Sequence, residues 1–231
     1  MRLLTESQRE ARILDAAAEL FIHFGYDKTT VADIAGQAGV SKGAIYLHYS
    51  SKDALFEALL IREMAAYAEA WLARCEADPA GGTIGGMYKS MLYALDRSPF
   101  MSALFKKDAR VFGTYLRKPD TFMRRQQHQG AREEFVTLMQ AAGAIRSDAD
   151  PAITAHIMNM LSYGLIGMHD VMDAALIPPT GALIEGIADF MDRALTPADG
   201  GNSEAGKAII RQMVAAGRAQ LGASNPSGEP T

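Results

Sequence analysis

The chain contains one cysteine, Cys75, in 231 residues. No disulfide can close within it, so a disulfide-framed secreted domain is excluded. A lone cysteine in an Ala-rich segment reads as packing filler, and a reducing cytoplasm is the expected location. No apolar run approaches the roughly 18 residues that cross a bilayer. The opening MRLLTESQREAR has no apolar core of signal-peptide length, and no membrane partner is expected. Catalytic signatures are missing too: no GxSxG, HExxH, CxxC or Walker pattern occurs. Gly81, Gly82, Gly85 and Gly86 cluster, but no strand precedes them and no Gly-Lys-Ser/Thr follows. They read as a flexible connection and the frayed start of a helix. His169 and Asp173 have i, i+4 spacing, yet His156 lies too far upstream to complete a ligand set. No metal, no cofactor and no enzyme are therefore expected. Strand-like alternation and solenoid repeats are also absent. Basic surplus is the last absence, since the net charge is −4. Up to residue 52, Arg2, Arg9, Arg12, Lys28, Lys42 and Lys52 are matched by Glu6, Glu10, Asp15, Glu19, Asp27 and Asp33. That balance argues against a nonspecific nucleic-acid coat and favours a site-specific binder with few phosphate contacts.

What is present is a core and one informative segment. Hydrophobic residues make up 48% of the chain, enough to exclude a mainly disordered protein. From Thr29 to Lys52 the sequence reads TTVADIAGQAGVSKGAIYLHYSSK. Val31, Ile34, Ala35 and Ala38 recur at i, i+3, i+4 and i+7, the stripe of a short amphipathic helix. Gly39 follows where a left-handed helix stop costs least without a β-carbon. Ser41 is placed to cap the next helix, and Val40 and Ile45 to wedge the two together as a helix-turn-helix. The second helix opens with Lys42, then the small Gly43 and Ala44, then Tyr46 and His48 with polar tips. Small residues let a helix end approach base edges, and the Ala44 methyl suits a thymine methyl. A glycine inside a helix costs roughly 1 kcal/mol relative to alanine, which close docking would offset. Tyr46, His48 and Lys52 suit phosphates, which position the protein without specifying sequence.

These features resemble the tetracycline-repressor (TetR) family. The resemblance rests on ILDAAAELFIHFGYDKTT in a first helix from about Thr5 to Phe24, and on AGVSKGAIYLHYSSKDAL after it. It covers roughly residues 8 to 60. It implies that Thr30, Lys42, Gly43, Ala44, Tyr46, His48 and Lys52 contact DNA; Thr29 and Ser41 complete the expected set. Tyr49, at a position usually Phe or another apolar residue, is assigned to packing.

Beyond Lys52 the pattern is almost wholly helical. Ser51 caps a helix to about Ala77, and further helices are expected over Met87–Arg97, Met101–Tyr115, Asp120–Ala142, Pro151 to about Ala175, and Thr180–Leu195. Ser203 to about Leu221 has helical composition, with a role left open between packing and hanging free, and SNPSGEPT looks disordered. The fold class expected is all-α: a three-helix head at 1–51, a helical ligand-binding and dimerisation body at 52–198, and a partly disordered extension at 199–231. About nine helices are expected, with a possible extra one at the C-terminus.

Two stripes carry the dimer expectation. Ile157, Leu161, Gly164, Met168 and Met172 form one; Leu183, Ile187, Met191 and Leu195 form the other. Such stripes pair across a two-fold axis into a four-helix bundle or face the protomer's own core; the resemblance favours pairing. It also implies a ligand cavity in the body. Tyr88, Met91, Phe105, Phe112, Met123, Met160 and Tyr163 are among the expected lining, with Arg110, Gln127 or Tyr163 as polar anchors. The 13 methionines suit varied apolar contents. The function expected is a homodimeric, ligand-responsive repressor that binds a palindromic operator and is released by a small hydrophobic or aromatic effector. A helical scaffold without an operator, and an all-α enzyme using the body cavity, are the alternatives.

Overall fold

The computed structural model describes residues 5–119, 121 and 131–223. Among these every regular element is helical: α1 (Glu6–Phe24), α2 (Val31–Ala38), α3 (Lys42–His48), α4 (Lys52–Ala77), α5 (Ile84–Asp96), α6 (Pro99–Lys106), α7 (Ala109–Phe112), α8 (Ala131–Ala141), α9 (Pro151–Gly167), α10 (Thr180–Leu195) and α11 (Ser203–Ala223). Short 3-10 turns cover Gly113–Arg117, Met168–Asp170 and Ala174–Leu176. The all-α expectation holds. The chain divides into two compact units, one from 1–65, 99–127 and 219–231, the other from 66–98 and 128–218. This division does not follow the expected boundaries at 51 and 198.

The first unit is built around an aromatic cluster. Phe56 on α4 is its hub, with ring centroids 4.8 Å from Phe21, 5.0 Å from Tyr26, 4.6 Å from Tyr115 and 5.7 Å from Phe112. Most of these pairs are edge-to-face or tilted, the geometry that ring quadrupoles favour. The expected single helix over Met101–Tyr115 is instead broken. Lys107 adopts a positive φ of 49°, and Asp108 caps α7 by accepting from the Arg110 N–H at 2.8 Å. The break turns Val111, Phe112 and Tyr115 into the aromatic cluster, burial that a straight helix does not provide.

The second unit packs α5, α8, α9, α10 and α11 with the later turns of α4 around Ile84, Tyr88, Leu92, Val136, Met139, Ile184 and Ile210. Here two expectations fail and one left open is decided. The glycines of 81–86 are no flexible connection: they are buried, and Thr83 starts α5 a turn early by accepting from the Gly86 N–H at 3.1 Å. A β-carbon on Gly82 would lie 1.7 Å from the Ser203 carbonyl oxygen, and one on Gly206 2.0 Å from that of Gly82. The expected helix to about Ala175 stops at Gly167, and irregular turns follow. The C-terminal helix does not hang free. Ile210 and Val214 are buried, Ser203 accepts from the Gly82 N–H at 3.1 Å, and Arg211 and Arg218 on α11 pair with Glu76 and Glu69 on α4. No helix of the described residues is long and apolar enough to cross a membrane.

Candidate nucleic-acid interface

The interface is built from its caps upward. Thr30 and Asp33 form a capping box at the start of α2. The Thr30 hydroxyl accepts from the Asp33 N–H at 3.2 Å, and the Asp33 carboxylate accepts from the Thr30 N–H at 2.9 Å. The Thr30 hydrogen bonds hold the Asp33 carboxyl below the usual carboxylate range. Gly39 ends α2 in the left-handed region with φ 65°, where a β-carbon would be strained. The Arg12 guanidinium donates to the Ala38 carbonyl at 2.6 Å and so ties α1 to the turn. Ser41 then caps α3, accepting from the Ala44 N–H at 3.0 Å. Ile45 and Tyr49 anchor α3 in the core. The Tyr49 hydroxyl donates to Glu10 at 3.0 Å, and burial pushes its pKa up. Tyr49 packs as expected.

With Ile45 inward, Lys42, Gly43, Tyr46 and Leu47 are exposed, while Ala44 and His48 are half-buried. The Lys42 ammonium lies 5.8 Å from the Tyr46 ring centroid, and that of Lys52 4.1 Å from the Tyr26 ring. Burial pulls the Lys52 pKa below its ordinary value. Gly43 meets nothing closer than the Ser41 hydroxyl at 3.8 Å from a β-carbon built on it, so nothing inside the fold requires a glycine there. Thr29 is a correction. It is 2% exposed, and its hydroxyl donates inward to the Gly25 carbonyl at 2.8 Å. Its position precedes the cap, where the chain passes under α1. Leu47 was missed: it is 84% exposed, and helical phase opposite Ile45 was the signal that could have found it.

The expected ligand residues are divided between the two units. Tyr88 and Met91 are buried in the second unit, whereas Phe112 is in the aromatic cluster of the first, the unit that also holds the half-buried Phe105. Tyr88 donates to the Met158 carbonyl and lies 2.7 Å from the Ser162 hydroxyl. Met160 is 61% exposed and Tyr163 is exposed as well. Both belong to the outer face of α9 rather than to an interior wall, because Thr154, Ala155, Met158 and Ser162 take the inward phase. Arg110 is exposed and pairs with Asp108 at 2.8 Å. Met123 and Gln127 lie outside the described residues.

Of the dimer stripes, Ile157 and Met172 are exposed, and Leu161, Gly164, Met168, Leu183 and Ile187 are half-buried. Met191 is a correction: at 2% exposed it is part of the second unit's own core, and the neighbouring Phe190, 64% exposed, points outward instead. β-carbons built on Gly164, Gly167 and Gly186 meet nothing within 4 Å.

A capped pair of short helices, wedged by an apolar seam and presenting a small-residue and lysine face, is a helix-turn-helix unit of the DNA-binding kind. Comparison with known proteins agrees. Residues 13–59 match the family model described as bacterial regulatory proteins, tetR family. The chain is 49% identical over 51 residues to the HTH-type transcriptional repressor Rv1474c of Mycobacterium tuberculosis, covering 22% of this chain and 27% of that one. It is 27% identical over 178 residues to the HTH-type transcriptional regulator UidR of Escherichia coli, covering 74% and 87%. In fold it is similar to the transcriptional regulator FadR of Bacillus subtilis solved with stearoyl-CoA, with a TM-score of 0.55, 18% identity, and coverage of 78% of this chain and 96% of that one. The match thus spans about a quarter of the length of the first of these relatives. Residues 13–59 are therefore a helix-turn-helix domain of the tetR family of bacterial regulatory proteins.

Proposed function

We propose that the protein is a homodimeric transcriptional repressor whose two α3 helices enter successive major grooves of a palindromic operator, and that a small apolar or aromatic effector releases it. The carrying observation is Gly43. It is an exposed glycine inside a helix, where a β-carbon would meet only the Ser41 hydroxyl at 3.8 Å, and it follows a capping serine and a lysine. Close approach of a partner from outside the chain would offset its cost to the helix. Lys42, Ala44, Tyr46, His48 and Lys52 share that face in this reading, with Thr30 and Ser41 fixing the helices that present them. A protein of this kind acts in the cytoplasm, by binding rather than turnover.

Dimerisation is supported by the outer faces of α9 and α10. Ile153, Ile157, Met160 and Phe190 are exposed there, and the open glycines Gly164, Gly167 and Gly186 suit close approach of a second copy. Exposed apolar residues grouped on these helices suit an interaction surface. The effector reading is supported by the second unit's interior, where Met87, Met91, Met139 and Met158 share one buried cluster with Tyr88 and methionine adapts to varied contents. The stearoyl-CoA held by the structurally similar FadR favours an apolar effector. Effector and operator would then be linked reciprocally by about 1–3 kcal/mol, with α4 as the lever, since Lys52 begins it and Cys75 near its end is in the second unit's core. Selection of duplexes from a random DNA pool tests the operator half: a palindrome with half-sites about one DNA turn or more apart is expected. Failure to enrich any sequence, or enrichment of an asymmetric one, would overturn it.

A further inference from the structure

Lys52 is surrounded by acids that do not neutralise it. Asp27 and Asp53 are both close enough to act on its charge, yet among the described residues Lys52 makes no ion pair. Each acid is instead held by the segment that follows α7. The Thr114 N–H donates to Asp27 at 3.0 Å, and the Thr114 hydroxyl donates to it as well. The Lys118 ammonium lies 2.5 Å from the Asp53 carboxylate and donates to the Tyr26 hydroxyl at 3.1 Å. Tyr26 in turn donates to Asp53 and carries the Lys52 ammonium over its ring. The segment is fixed against the turn before α2, because the Tyr26 N–H donates to the Val111 carbonyl at 2.7 Å. A β-carbon on Gly113, whose φ is 49°, would collide with Asp27.

We infer that Lys118, which lies outside the helix-turn-helix, is a positioning residue for DNA binding: it covers the Asp53 charge and fixes the Tyr26 ring that seats the Lys52 ammonium. This rests on the reading of Lys52 as a phosphate contact. Without Lys118, Asp53 keeps only the Tyr26 hydroxyl, and its charge is left uncompensated well within the roughly 10 Å over which salt fails to screen it. It then repels the phosphate that Lys52 is to meet.

The test uses the full-length protein and a duplex that the wild type selects from a random pool. K118M is expected to weaken binding about threefold to fivefold, the scale of an exposed pair, and K118R to retain wild-type affinity. In the D53N background, where no carboxylate needs covering, K118M should cost nothing. That non-additivity separates coverage of Asp53 from a general charge effect, for which the two changes would add. Additive effects, or unchanged affinity in K118M, overturn the inference, and K118M/D53N decides the matter even if K118M alone folds poorly. K52A is the separate arm: it should cost about tenfold in affinity and lower the salt slope by about 1. No loss in K52A would overturn the phosphate-contact reading itself, a result distinct from additivity at Lys118.

Discussion

Glycine carries opposite meanings in two regions of this molecule. Around residues 81–86 the space a side chain would fill is already occupied by the protein's own backbone, and glycine is what lets α5, α11 and the intervening turn meet. At Gly43 a β-carbon would fit, with the Ser41 hydroxyl its nearest neighbour at 3.8 Å, and nothing in the fold requires the side chain to be missing. The first kind of glycine is explained from within. The second leaves room for a partner, and the Lys42 ammonium and capping Ser41 beside it suit one with the chemistry of a nucleic acid.

The comparison breaks first at its buried end. Gly82→Ala should cost about 3 kcal/mol of unfolding free energy, read by urea denaturation, since both a carbonyl and an amide of α11 occupy the site. A loss under about 0.5 kcal/mol, the scale of an inconsequential surface change, would mean that α11 simply moves aside. Acid sharpens the exposed end, where carboxylates rather than backbone hold the turns together. Hydrogen bonds from Thr114 hold Asp27 below the usual carboxylate range, and those from Thr30 do so for Asp33. Asp53 is lowered as well: burial opposes the shift, but Lys118 and Tyr26 outweigh it. Because these groups bind protons more weakly when folded, the unfolded chain holds more protons between the two pKa values. Their stabilisation is complete above about pH 4 and is lost as pH falls below it. A urea midpoint flat or rising from pH 5 to pH 3 would contradict that. The smallest effect is expected at Arg218→Ala. Its pair with Glu69 is largely exposed, so the change should stay within about 1 kcal/mol. A larger loss would show that α11 depends on charge and not on the glycine contact.

Much of the head was legible because its signals are local. Caps, a left-handed glycine and a four-residue apolar rhythm each act within one turn of helix, so Thr30, Gly39, Ser41 and Ile45 could be assigned without knowing what they touch. Thr29 was misread because a threonine beside a cap has the same composition whether it faces out or in; only the chain's passage beneath α1 decides. The body was less legible for the opposite reason. Whether Met191 or Phe190 faces inward is settled by the phase of α10 against α5, a long-range contact that an apolar stripe two residues wide does not specify. The break at Lys107 offers one local signal, the capping Asp108, but a lysine at positive φ is held by the burial of Phe112 and Tyr115 rather than by preference. The glycines of 81–86 looked flexible because glycine composition is identical in a loose linker and in a tight contact.

The central claim is that the outward face of α3 meets DNA, and Gly43→Leu tests it most directly. Leucine is the better helix former, so the variant's unfolding free energy should stay level or rise by up to about 1 kcal/mol. Its affinity for a duplex selected by the wild-type protein should nevertheless fall by at least about tenfold, the side chain now standing between helix and groove. A variant that folds as well and binds that duplex as tightly as the wild type would contradict the account.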